Sequence, residues 1–142
     1  MRCMIIVKAT EKAEAGALPT ERHLAAMGKY IGELQKAGVL LDFSGLKPSS
    51  AGVRVRFAGG KRTVIDGPFT ETKELIAGYW IIQVESKEEA IEWAKRLPAE
   101  VCEIWEVELR PFYELEDFAP AAVVEAAEEL RKKLPANASS KR

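Results

Sequence analysis

The sequence is poor in the groups on which most metal and nucleophile chemistry relies. It holds one histidine, His23, and two cysteines, Cys3 and Cys102, and none of these stands near another at metal-ligand spacing. Local spacing therefore signals neither a structural zinc site nor a nucleotide-binding loop, and no cofactor is implied. No run approaches the roughly 18 to 20 apolar residues that cross a bilayer. The first eight residues have strand character rather than a basic stretch ahead of a signal core, so the expected home is the cytoplasm. Charge of one sign is also missing: 21 Lys and Arg face 22 Asp and Glu, a formal net charge of -1, with both signs interspersed. Nucleic acid and anionic membrane find no electrostatic footprint on such a chain, and both drop out as partners.

What is present suffices for one core, since 142 residues at 47% apolar content form a single domain by default. Met4–Lys8 is a short apolar run suited to a central strand covered on both faces. Glu11–Gly16 shows no stable pattern and reads as loop. Thr20 is the N-cap of a helix whose stripe is Leu24, Met27, Ile31 and Leu34, ending at Ala37-Gly38. Val53–Phe57 alternates with period two, Gly59-Gly60 turns it, and Arg62–Asp66 returns as a hairpin. Gly78–Glu85 is a strand by its aromatic and β-branched content.

Ser86 and Glu89 form a capping box for a second helix, which buries Ala90, Trp93, Ala94 and Leu97 and stops at Pro98. Trp105, Val107 and Leu109 alternate with charged residues in a last strand. An acidic-aromatic segment, Tyr113–Phe118, precedes a third helix from about Pro120 to Leu134 with Val123, Ala127, Leu130 and Leu134 on one side. That helix should dock on a partner or on its own sheet. Asn137–Arg142 has nothing to bury and is expected to be mobile.

The run Asp66-Gly67-Pro68-Phe69 is the most specific punctuation. Asp66 can bond its own backbone, Gly67 tolerates positive φ, and Pro68 fixes φ and removes a donor. Phe69 then needs a dry place, and Glu71 and Lys73 follow as charged rim residues.

With Met4–Lys8, Pro19–Leu24, Ala37–Leu41 and Gly45–Pro48, this run resembles the YCII-related family, in the branch named for its DGPF motif. The resemblance covers Met1 to about Phe118, leaving 119–142 as a helical extension and tail. It implies a ferredoxin-like βαββαβ α+β protomer with an inserted hairpin, pairing as a homodimer into a dimeric α/β barrel. Most members have no established activity. On that fold Cys3 opens the first strand and Cys102 the last, at opposite ends of neighbouring antiparallel strands, so no bridge is in reach. Both then read as small buried hydrophobes.

The resemblance also implies a catalytic role for His23, whose place near a helix start suits a neutral base. Its family partner is an Asp before Pro after the second helix. This chain reads Leu97-Pro98 there, which leaves Asp66 or Asp42 as the carboxylate. Phe43 and Ser44 also stand where relatives carry glycine and glutamate, which reshapes a pocket wall. Arg54 and Arg56 share one strand face, and if that face looks into the barrel they can grip a carboxylate or phosphate, or pair with Glu106 or Glu108 across subunits. Tyr30, Tyr79 and Trp80 are candidate walls and equally candidate core.

Three functions follow. The first is a homodimeric binder of a carboxylated or aromatic metabolite, with Arg54, Arg56, Tyr30, Tyr79, Trp80, Glu71 and Lys73 around the ligand. The second is a lyase or isomerase using His23 with Asp66 or Asp42 for proton transfer. The third is an accessory module associated with sigma factors, contacting its partner through Tyr113–Phe118.

Overall fold

A computed structural model describes residues 1–118 and 121–134. Its elements follow the order β1 (Arg2–Lys8), α1 (Glu11–Glu14), α2 (Glu21–Lys36), β2 (Leu40–Gly45), β3 (Val53–Ala58), β4 (Lys61–Asp66), β5 (Ile76–Gln83), α3 (Lys87–Lys95), β6 (Val107–Pro111) and α4 (Ala121–Lys132). Four strands make an antiparallel sheet in the order β2-β5-β1-β6, while β3 and β4 form a separate two-stranded sheet. Without that hairpin the chain reads βαββαβ, an α+β arrangement with a helix added at the C-terminal side.

Helices form where their ends are satisfied. The Thr20 side chain accepts from the His23 amide and Ser86 accepts from the Glu89 amide, each relieving one of the orphan donors of a first turn. The Glu89 carboxylate bonds the Glu85 amide, one residue ahead of the cap. Thr10 caps α1 in the same way, through the Ala13 amide. This single turn replaces the loop expected over 11–16, because one cap suffices to close it.

The helices cover one face of the sheet. Cys3, Ile5, Trp80 and Ile82 from the strands join Tyr30, Leu34, Ala90 and Leu97 from α2, α3 and the end of the second crossover in one buried cluster. Full burial of Ile5, Leu34 and Ile82 contributes about 1.5–3 kcal/mol each. The stripe on α2 differs from its expected form, with Leu24 58% exposed and Tyr30 buried. Tyr30 takes that place because its ring meets Trp80 edge-on at 5.5 Å and its hydroxyl donates to the Trp93 carbonyl at 2.8 Å, a bond that no aliphatic residue supplies. Burial holds both thiols protonated above their usual range, and both cysteines are unbridged.

Other expectations are corrected at the strand ends. Cys102 lies in a turn, not in the last strand, and donates weakly to the His23 carbonyl. Trp105 also precedes β6, because its indole N–H turns aside to the Ala9 carbonyl at 2.9 Å. Within one chain β1 is covered on one side, with Met4 and Ile6, which alternate with Cys3 and Ile5, only half-buried. The α4 helix contacts the turn at Leu115–Asp117 and leaves Val123 and Leu130 exposed. The expected helix start at Pro120 and the tail Asn137–Arg142 lie outside the described residues. No described helix is long and apolar enough to cross a membrane.

Candidate functional site

The uncovered sheet face carries the polar groups best placed to meet a ligand. Antiparallel register sets side chains of four strands in rows, because residues directly opposite one another point to the same side. One row is Asp42, Ile81, Met4 and Arg110, and the next is Ser44, Tyr79, Ile6 and Glu108. Three inter-strand steps make each row about 14 Å wide.

The two borders of this face differ in chemistry. On the β2 side the Tyr79 hydroxyl lies 3.4 Å from Asp42 Oδ2, and Asp42 Oδ1 accepts the Phe43 amide. On the β6 side Glu108 faces two cations, Arg110 at 2.6 Å and Lys8 at 3.9 Å. Met4, Ile6 and Ile81 form an apolar floor between the borders. A planar ring suits that floor, a hydroxyl suits the Tyr79–Asp42 border, and a carboxylate suits the doubly cationic border.

The Asp66–Phe69 run sits elsewhere and is tied down by a chain of bonds. Glu14 accepts from both the amide and the hydroxyl of Ser49, and the Ser49 hydroxyl oxygen accepts the Phe69 amide at 3.0 Å. Gly67 donates to the Gly52 carbonyl at 2.9 Å. Its glycine is required by this close approach, not by a positive φ as the sequence suggests, because a Cβ would collide with the Ser49 carbonyl. Phe69 is half-buried, not dry, with the Arg54 guanidinium 3.8 Å from its ring centroid.

The structure scatters the sequence candidates over separate parts of the fold. Tyr79 lies on the uncovered face with Asp42. Tyr30 and Trp80 lie under the helices, in the core. Arg54 and Arg56 lie on the exposed hairpin, which is separate from the main sheet, so their strand face is not part of the sheet face expected to look into a barrel. Glu108, the intersubunit partner considered for them, is engaged within its own chain. Asp66 ends β4 and is exposed, as are Glu71 and Lys73. His23 is half-buried in the first turn of α2, and its side chain makes no hydrogen bond or ion pair among the described residues. Burial pushes the Tyr30 phenol far above its usual range, against the opposing pull of Arg96.

Sequence reasoning missed Lys8, Arg110 and the Met4–Ile6–Ile81 floor. Their signal was the alternation within β1 and β6, but which alternating set stays uncovered depends on register between strands. No described cluster of His, Cys, Asp and Glu can hold a metal ion.

A family model described as the YCII-related domain matches residues 1–113. The chain belongs to the YCII-related family. The match ends where the acidic-aromatic segment begins. This YCII-related chain is 37% identical over 73 residues to the uncharacterized protein R00369 of Rhizobium meliloti (strain 1021), a stretch that is 51% of the chain and 56% of that protein. The chain thus spans about half the length of the curated relative it matches. Among solved structures it is similar to 5-chloro-2-hydroxyhydroquinone dehydrochlorinase (TftG) from Burkholderia phenoliruptrix AC1100, in complex with 2,5-dihydroxybenzoquinone, at 12% identity and a TM-score of 0.48, with 84% of this chain and 100% of that chain covered. At that distance no residue role passes from one to the other.

Proposed function

We propose that this protein, a member of the DGPF-motif branch, is a homodimeric binder of a small aromatic carboxylate held between two uncovered sheet faces that close as a dimeric α/β barrel. The observation that carries the reading is the row structure of that face, with an apolar floor between a hydroxyl–carboxylate border and a border where Lys8 and Arg110 share the single carboxylate of Glu108. Two cations on one anion leave a net positive charge, which an incoming carboxylate neutralises. A half-buried apolar floor in the centre of a sheet gains most when a second apolar surface removes it from water.

The test is a melting-point screen with benzoate, 4-hydroxybenzoate and an aliphatic acid of similar size. The hydroxybenzoate is expected to raise the melting temperature most, by several degrees at about 100 times its dissociation constant, where ligand linkage is worth about 2.7 kcal/mol. Tyr79→Phe and Arg110→Ala each reduce that shift. A melting point unmoved by all three acids, or shifts indifferent to both substitutions, defeats the reading.

A second reading, proton transfer, is favoured by the contact of a phenol with a carboxylate at Tyr79 and Asp42. In it Asp42 takes the role that the family resemblance gives to the partner of His23. Asp42→Asn, His23→Ala and Asp66→Asn, assayed for hydrogen–deuterium exchange into bound hydroxy acids, separate these assignments. Loss of exchange in Asp42→Asn alone assigns the chemistry to the uncovered face, and loss in His23→Ala and Asp66→Asn assigns it to His23 with Asp66.

A further inference from the structure

The β3–β4 hairpin stands outside the main sheet with an apolar side turned to solvent. Val53, Val55 and Phe57 share that side with Val64, which lies opposite Val55, and the four are 58%, 48%, 67% and 65% exposed. A two-stranded ribbon is marginal in water without a surface to lie on. The hairpin is also basic, carrying Arg54, Arg56, Lys61 and Arg62 against Asp66 alone, and none of its four cations forms an ion pair among the described residues.

A surface of opposite character lies after β6. Tyr113–Phe118 carries Glu114, Glu116 and Asp117 and no cation of its own. Glu114 is paired with Arg2 at 3.1 Å, so the carboxylates without an ion pair among the described residues are Glu116 and Asp117. Tyr113 and Phe118 touch at 5.1 Å between ring centroids and are 73% and 45% exposed. No hydrogen bond or ion pair joins this segment to the hairpin in one chain. The fold explains why. The hairpin leaves β2 at Gly45 and rejoins β5 at Ile76, at the end of the sheet where Lys8 pairs with Ile76, whereas Pro111 leaves β6 beside Cys3, at the other end. β2 and β6 are also opposite edges of the sheet. The two surfaces therefore occupy diagonal corners.

We infer that the hairpin is an exchange arm, which docks on the acidic-aromatic segment of a second copy of this chain and roofs that copy's ligand face. The inference rests on the face-to-face pairing proposed above. A two-fold that crosses the strands of the two sheets superposes diagonal corners, so each hairpin meets the other copy's Tyr113–Phe118, and the contact is made twice. Opposite charge sets the register, and the exposed valines and Phe57 supply apolar burial against the two rings.

Charge reversal tests it by analytical ultracentrifugation. Arg56→Glu with Arg62→Glu puts anions on the hairpin, and Glu116→Arg with Asp117→Arg puts cations on the segment. Each variant alone is expected to dimerise at least about tenfold more weakly than wild type, because like charges then meet twice. An equimolar mixture is expected to regain wild-type affinity, since both contacts in the mixed dimer join opposite charges. That recovery also shows that neither variant is misfolded. Variants that dimerise like wild type, or a mixture no tighter than its components, overturn the arm while leaving face-to-face pairing intact. A monomeric wild type overturns both.

Discussion

Gly67 lies against the carbonyl of Ser49 with no room for a Cβ between them. This approach, with the bonds donated by the Phe69 amide to the Ser49 hydroxyl and by the Gly67 amide to the Gly52 carbonyl, joins the DGPF turn to the segment after β2. Gly67→Ala must displace backbone on one side or the other. It is expected to cost about 2–3 kcal/mol in denaturant unfolding, at the upper end of ordinary point substitutions. Gly32→Ala, on a helix with nothing within 4 Å of the new methyl, serves as the control and should be neutral or stabilising.

Tyr30 has a pH signature. Its phenol has an ordinary value of 10.0, and burial raises it well above that in the folded chain. Below pH 10 the group is protonated folded or unfolded, so its contribution is complete. As pH rises further the unfolded chain ionises first, and stability falls until the folded phenol also ionises. Tyr30→Phe is expected to lose about 1 kcal/mol at neutral pH, the bond to the Trp93 carbonyl, and to show a shallower alkaline decline. Urea unfolding at pH 7 and pH 10.5 measures both.

Glu114 behaves in the opposite sense. Hydrogen bonding from the Arg2 side chain, foremost among its interactions, holds this carboxyl below its ordinary 4.5. The contribution is present above that value and is lost as pH falls through the lowered one. Glu114→Gln should therefore flatten the acid limb of the stability profile, and its difference from wild type should vanish at the lowest pH.

Ile81 stands in the centre of the uncovered face. Ile81→Glu adds a charge to the floor without entering the helical core. It is expected to yield a folded monomer by sedimentation and to abolish the melting-point response to aromatic acids. A dimer of unchanged affinity would remove face-to-face closure from consideration.

Much of the fold was legible in local chemistry. Caps at Thr20 and Ser86, the Gly59-Gly60 turn and the alternation of Val53–Phe57 each name an element through contacts a few residues apart. The failures share another cause, for they depend on distant residues. Tyr30 took the place of Leu24 in the buried stripe because Trp80 and the Trp93 carbonyl wait for it, 50 or more positions away in the chain. Trp105 left its strand for the carbonyl of Ala9. The candidate site was less legible than the fold. Aromatic and guanidinium side chains drew attention by type, yet pairing register sent Tyr30 and Trp80 beneath the helices and Tyr79 to the other side.

The borders of the main sheet are irregular. β2 carries a register shift between Leu40 and Asp42, and β6 is five residues long and ends in Pro111. Neither offers the long flat ladder onto which foreign strands add, and a bulge and a proline are two of the usual guards against such addition. The protein should accordingly resist fibril growth from its margins.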